Sequence, residues 1–170
     1  MTGVGVVVGN PRPQSRTLAA AVAVVRAVTG GEPDFVLDLA EFGPRLLDWK
    51  DPDVAAAVEQ VTSARLVVVA SPTYKATYTG LLKLFLDRFR AGALAGVEAI
   101  PLQLGGDWKH SLAPEVHLKP VLAELGAATP TRALYLLESD AGDDPAAGFA
   151  ASATLADWLS IARGQLRGAA

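Results

Sequence analysis

The sequence predicts an α/β fold in which a five-stranded parallel sheet is doubly wound with helices, in the strand order 2-1-3-4-5. Three observations predict it. The runs Val4-Gly5-Val6-Val7-Val8 and Leu66-Val67-Val68-Val69-Ala70 are apolar without polar alternation, which suits strands buried on both faces. Five candidate strands alternate with segments of helical periodicity, the pattern of a parallel sheet covered on both sides. Handed crossovers leave few topologies for five strands, and they favour this order.

The first strand runs directly into Gly9-Asn10-Pro11-Arg12-Pro13-Gln14-Ser15-Arg16-Thr17. Two prolines deny this stretch a helix, and the hydroxyls of Ser15 and Thr17 stand where the periodic Leu18, Val22 and Val25 begin. Strand, loop and helix N-terminus are consecutive, so free amides and the positive dipole end attract an anion. Arg12 and Arg16 each add a charge able to bond a phosphate bidentately. The Gly-Lys-Ser/Thr triplet of a nucleoside triphosphate loop is missing. Gly3, Gly5 and Gly9 lie within the strand, whereas a dinucleotide fingerprint needs glycines in the turn. One terminal monophosphate is the better match; a surface turn with solvated arginines is the alternative.

The first helix is expected to end near Gly30-Gly31, and Phe35 to Leu39 reads as the second strand. Asp38, at its end, reads as a loop or helix-cap acid instead of a ribose ligand. Glu41 to Asp53 is a connecting loop, with Trp49 in a packing or interface role. Asp51 or Asp53 starts a helix that runs to Gln60–Ala64. The third strand leads into Ser71-Pro72-Thr73-Tyr74-Lys75 and a helix from about Tyr78 to Phe89. Ala99 to Leu104, weakened by Pro101, forms the fourth strand and meets Gly105-Gly106-Asp107-Trp108. A helix from about His110 to Leu125 follows, distorted or interrupted by Pro114 and Pro120. Arg132 to Leu137 is the fifth strand, and Ala146 to Leu166 the final helix.

Composition narrows the classes. A chain of 170 residues with 51% hydrophobic and 19% charged residues fits a single globular domain over residues 1–170. No apolar run approaches the ~20 residues of a membrane span. A net charge of -3 offers no basic footprint for nucleic acid or anionic membrane. Zero cysteines exclude disulfides, thiolate nucleophiles and cysteine-ligated metals. Met-Thr-Gly leads straight into the first strand without an export signal, so a cytoplasmic protein is expected. His110 and His117 are about 10 Å apart along a helix, too far to share a metal.

In the order 2-1-3-4-5 the loops after strands one, three and four line one crevice, where open α/β sheets bind ligands. The first offers phosphate donors, the second an aromatic and a cation, the third two glycines that let amides approach a flat edge. Together they describe a site for a planar heterocycle ending in a monophosphate, the shape of flavin mononucleotide (FMN).

Three segments carry a resemblance to a known family. They are Gly9-Asn10-Pro11 with Ser15-Arg16-Thr17; Ser71-Pro72-Thr73-Tyr74-Lys75-Ala76 leading to Gly80-Leu81-Leu82-Lys83 and Asp87; and Gly105-Gly106 leading to His110, Leu118-Lys119-Pro120-Val121-Leu122 and Gly126-Ala127. Over most of its length the chain resembles the flavodoxin-like NAD(P)H-dependent FMN reductases, especially those of alkanesulfonate monooxygenase systems. The resemblance implies that Asn10, Arg12, Ser15, Arg16 and Thr17 hold the FMN phosphate. Pro72, Thr73, Tyr74 and Lys75 would wrap the isoalloxazine, and Gly105, Gly106 and Asp107 would offer amides to its pyrimidine edge. It also implies a homodimer or homotetramer formed through the helices after strands three and four, with Leu81, Leu82, Phe85 and Phe89 available to it. Lys83 and Asp87, one turn apart, read as a surface or interface ion pair. Tyr74 is a flavin contact or a packing aromatic; Tyr78 is read as packing.

The implied reaction is hydride transfer from NADPH or NADH to FMN, with reduced FMN supplied to a partner monooxygenase, and it needs no catalytic side chain. Sulfonate-linked relatives carry an aromatic residue about where Val116 stands, a departure that bears on whether FMN diffuses or stays bound. The alternatives are a flavoprotein with retained FMN that reduces a quinone, azo compound or metal ion, and a non-enzymatic flavodoxin-like electron carrier. A relative that has lost flavin and serves in assembly is a further one.

Overall fold

A computed structural model describes residues 3–166. Five parallel strands, β1 (Val4–Val8), β2 (Phe35–Asp38), β3 (Leu66–Pro72), β4 (Glu98–Gly105) and β5 (Leu134–Leu137), form one sheet in the order β2-β1-β3-β4-β5. The register pairs Val6 with Val36 and Val68, and Leu102 with Ala70 and Leu134. β1, β3 and β4 are buried along their whole length, which is why they read as unbroken apolar runs. Pro101 interrupts nothing: it pairs with Val69 on the β3 side, and β5 joins only from Leu102.

Alternate side chains feed two cores. One face packs Val6, Val68 and Ile100 against α1 (Arg16–Thr29), α5 (Pro145–Ala150) and α6 (Ala153–Ala162). The other packs Val7, Val67 and Ala99 against α2 (Pro52–Thr62), α3 (Gly80–Leu86) and α4 (Lys119–Glu124). Among the described residues no helix is long and apolar enough to cross a membrane.

Several boundaries differ from the sequence reading. Leu39 leaves β2 for a 3-10 turn, and Gly43–Leu47 forms another within the connecting loop. The helix expected over Tyr78–Phe89 is only Gly80–Leu86, because Thr79 caps it through Leu82 N. The helix expected from His110 is a 3-10 turn, a π-helical turn over Pro114–Leu118, and then α4, so both prolines mark irregular points. β5 starts at Leu134 instead of Arg132.

The expected final helix is two. Ser152 caps α6 and donates to Asp140, and a side-chain atom at Gly148 would lie 2.3 Å from the Ala141 carbonyl oxygen. That close approach fixes α5 against the preceding turn, so the break is a tertiary effect. The interface reading of α3 is corrected at three positions. Leu82, Phe85 and Phe89 belong to the chain's own second core, and Phe85 and Phe89 meet edge to face at 5.3 Å. Lys83 and Asp87 pair on the surface as expected. Trp49 is exposed, with the Arg88 guanidinium 4.9 Å from its ring centre.

Candidate functional site

The anion loop is organised by its own side chains. Ser15 caps α1, its oxygen accepting from Leu18 N at 3.3 Å, and its carbonyl takes the Ala19 amide. The amides of Arg16 and Thr17 are left without an intrahelical acceptor, as at any helix start. Asn10 is buried; it donates to Thr17 Oγ1 at 2.9 Å and accepts from Arg12 N at 3.0 Å. Both hydroxyls thus act as acceptors inside the protein and keep their protons for an outside acceptor. Gln14 takes a positive φ of 51°, and its amide is held by Asp38 Oδ2 at 2.8 Å. Asp38 also accepts from Ala40 N and so caps the following 3-10 turn, as expected, while the same carboxylate braces the loop after β1.

The second loop is tied to the first. Thr79 donates to the Gly9 carbonyl, and its amide is received by Ser71 Oγ at 3.0 Å. Gly9 has no room for a side chain, since a Cβ would lie 2.4 Å from that of Leu82. Beyond Pro72 the chain makes a two-residue turn, with Tyr74 and Thr77 paired and Lys75 and Ala76 at φ of 52° and 68°. Consecutive left-handed non-glycine residues are strained, and such strain clusters where a loop must present itself to a ligand. Tyr74 is half exposed at its tip, whereas Tyr78 packs against the second core.

The third loop is held otherwise. The Tyr135 hydroxyl donates to the Asp107 carbonyl at 2.9 Å, and a Cβ at Gly105 would lie 1.7 Å from that hydroxyl. Gly105 is therefore required by Tyr135, while Gly106 faces open space. Asp107 pairs with Lys109 at 2.8 Å; the lysine's hydrogen bonds hold the carboxyl below its usual range, and the carboxylate holds the lysine above its own.

A cavity of about 500 Å³ opens at the carboxyl ends of the strands, walled by Asn10, Arg12, Ser15, Arg16, Thr17, Pro72 and Tyr74, together with Pro13, Gln14, Leu104 and Glu138. It unites the first two predicted loops. Thr73, Lys75, Gly105, Gly106 and Asp107 lie outside its walls, the last three reaching it only through their neighbour Leu104. Sequence reasoning missed Glu138 and Thr79, and it placed Ser71 in the second loop without giving it a role. Only the position of Glu138 directly after a strand could have flagged it. The residues fit FMN: the hydroxyls, two helix-start amides and two arginines would meet its phosphate, and the volume lies within the usual range for a cofactor site.

An α/β protein with an anion loop at its switch point and an aromatic turn beside it belongs to the class that binds nucleotides or flavins there. Residues 2–142 match the model of the family described as NADPH-dependent FMN reductase. The chain belongs to that family. It is 35% identical to FMN reductase (NADPH) of Escherichia coli strain K12 over 123 residues, which are 70% of this chain and 64% of that protein. It is 29% identical to the NADH-dependent FMN reductase SfnF of Pseudomonas fluorescens strain Pf0-1, across 79% of this chain and 75% of that one. Among solved structures it resembles the apo form of an NADH:FMN oxidoreductase, with a TM-score of 0.77, 29% identity and coverage of 92% and 88%.

Proposed function

We propose that this chain carries out the reaction for which its family is named, reduction of FMN by NADPH or NADH. The observation that carries it is the cavity at the switch point, where hydroxyls, amides and arginines face one volume with Tyr74. FMN, when bound there, supplies the acceptor for a hydride. The protein's part is binding and orientation. Ser15, Thr17 and the first amides of α1 hold the phosphate, Arg12 and Arg16 neutralise it, and Thr79 and Asp38 keep the loop rigid. Pro72, Thr73, Tyr74 and Lys75 wrap the ring, and Gly106 lets the backbone approach it. No side chain is required to move a proton in the hydride step.

The same reading takes the chain as one cytoplasmic domain that acts as a homodimer or homotetramer and hands reduced FMN to a flavin-dependent monooxygenase. Trp108, Leu112 and Val116 are all exposed along the segment after β4 and supply apolar surface for a second copy. Val116 is among them, so no aromatic residue holds flavin from that position. The experiment is steady-state NADPH and NADH oxidation against free FMN, on protein whose bound flavin has been quantified. Colourless protein whose rate saturates with added FMN supports a diffusing flavin substrate. Yellow protein that turns over without added FMN supports a retained flavin and a quinone, azo or metal acceptor. Flavin binding without nicotinamide oxidation would leave an electron carrier.

A further inference from the structure

Glu138 walls the anion cleft, yet the binding described above gives it no part. It is the first residue of the 3-10 turn Glu138–Ala141 that leaves β5, and Asp140 in that turn accepts from the Ser152 hydroxyl at 2.8 Å, so the turn is tied to α6. The Glu138 carboxylate itself is exposed and forms no hydrogen bond or ion pair among the described residues. Neighbouring acids are engaged elsewhere. Asp107 is neutralised by Lys109 at 2.8 Å, and Asp38 accepts from the amides of Gln14 and Ala40. Tyr135, whose hydroxyl feels the charge of Glu138, stays neutral, because burial raises it above its ordinary value. The charged groups on the cleft wall are therefore Arg12, Arg16 and Glu138, and Glu138 is the one acid among them.

A phosphate dianion offsets the two arginines and leaves Glu138 uncompensated. A hydride carries one proton and two electrons, so a neutral flavin ring that takes it from a nicotinamide becomes an anion while the nicotinamide becomes a cation. Oxidised and reduced FMN share one phosphate and one ribityl chain and differ by that single negative charge on the ring. A carboxylate on the wall separates them from whichever side it faces the ring, because repulsion within about 10 Å in a surface cleft is worth several-fold in affinity. We propose that Glu138 is a specificity-determining residue that makes the cleft hold reduced FMN less tightly than oxidised FMN and so favours release of the reduced product. The inference rests on the reading that FMN is reduced in this cleft.

The test measures the affinity of oxidised FMN, and of FMN reduced with dithionite, by anaerobic calorimetry on flavin-free protein. At about pH 8.5, where the reduced ring is anionic, Glu138→Gln should narrow the oxidised-to-reduced affinity ratio about fivefold. At about pH 5.5 the reduced ring is mostly neutral while an ordinary glutamate is still ionised, so the variant and the wild type should give the same ratio. Protonation of the phosphate and its repulsion from Glu138 enter both affinities and cancel in the ratio. Glu41→Gln removes an exposed carboxylate that lies outside the cleft wall, and it should leave the ratio unchanged. A ratio unmoved by Glu138→Gln at the higher pH, an equal shift at both pH values, or the same shift from Glu41→Gln would overturn the proposal. Failure of oxidised FMN to bind the wild-type protein would instead overturn the flavin reading, so the two failures are told apart.

Discussion

The segments after β1 and after β4 both leave the carboxyl edge of the sheet on a glycine, yet the two glycines answer to different neighbours. Gly9 gives way to α3, and the loop beyond it turns its hydroxyls and helix-start amides outward. Gly105 gives way to Tyr135, and the polar groups beyond it are used internally, the Asp107 carbonyl by Tyr135 and its carboxylate by Lys109. A glycine at a strand end therefore reports close approach, and only the neighbouring atoms tell whether the approaching group is a ligand or the protein itself.

Substitutions sharpen this contrast. Gly105→Ala drives a methyl into Tyr135 and should cost about 3 kcal/mol in urea unfolding, whereas Gly106→Ala should stay within about 0.5 kcal/mol. If Gly106 serves ligand approach, its alanine variant loses FMN affinity at unchanged stability; a destabilised Gly106→Ala would blur the distinction. Asp38→Ala leaves two amides of the loop and following turn unpaired. It should cost about 2 kcal/mol and weaken FMN binding, although Asp38 lies outside the cleft wall. Ser15→Ala removes the α1 cap at about 1 kcal/mol; on the proposed reading it also removes a phosphate donor, so stability and FMN affinity should fall together.

Ala76→Gly works in the opposite direction. A left-handed alanine costs about 1–2 kcal/mol and glycine's chain entropy returns about 0.5–1, so the variant should melt slightly higher. Its looser turn should bind FMN less well, and higher stability with unchanged affinity would show that the strain serves no ligand. The smallest effect concerns acid. Burial works to raise the Glu115 carboxyl, but Lys119 and the Ala133 amide outweigh it and hold it below its ordinary value. Its contribution is present above its unfolded pKa and is lost as pH falls through the lower folded one. Glu115→Gln should accordingly flatten the acid limb of a stability–pH curve and leave its neutral part parallel to the wild type's.

Much of this was legible in the chain. Unalternating runs gave the buried strands, and with them the strand order and the cluster of loops at the switch point; Ser15 read correctly as the start of a helix. What stayed hidden was tertiary. Gly80–Leu86 is apolar on nearly every side, so periodicity could not say that Leu82, Phe85 and Phe89 face inward. The break at Ser152 depends on Asp140, the need for Gly105 on Tyr135, and the bracing of Gln14 on Asp38, contacts between residues far apart in sequence. The polar residues of the anion loop were readable because their neighbours in sequence are also their neighbours in space.

The most direct test of the central claim compares FMN with riboflavin, which lacks the phosphate, by flavin fluorescence quenching on flavin-free protein. If the loop after β1 is the phosphate site, FMN should bind about a hundredfold more tightly, the scale of two charge-assisted hydrogen bonds. The double variant Ser15→Ala, Arg16→Ala should erase most of that ratio while riboflavin affinity holds. Equal affinities for the two flavins in the wild-type protein would contradict the account, because the loop would then be holding no phosphate.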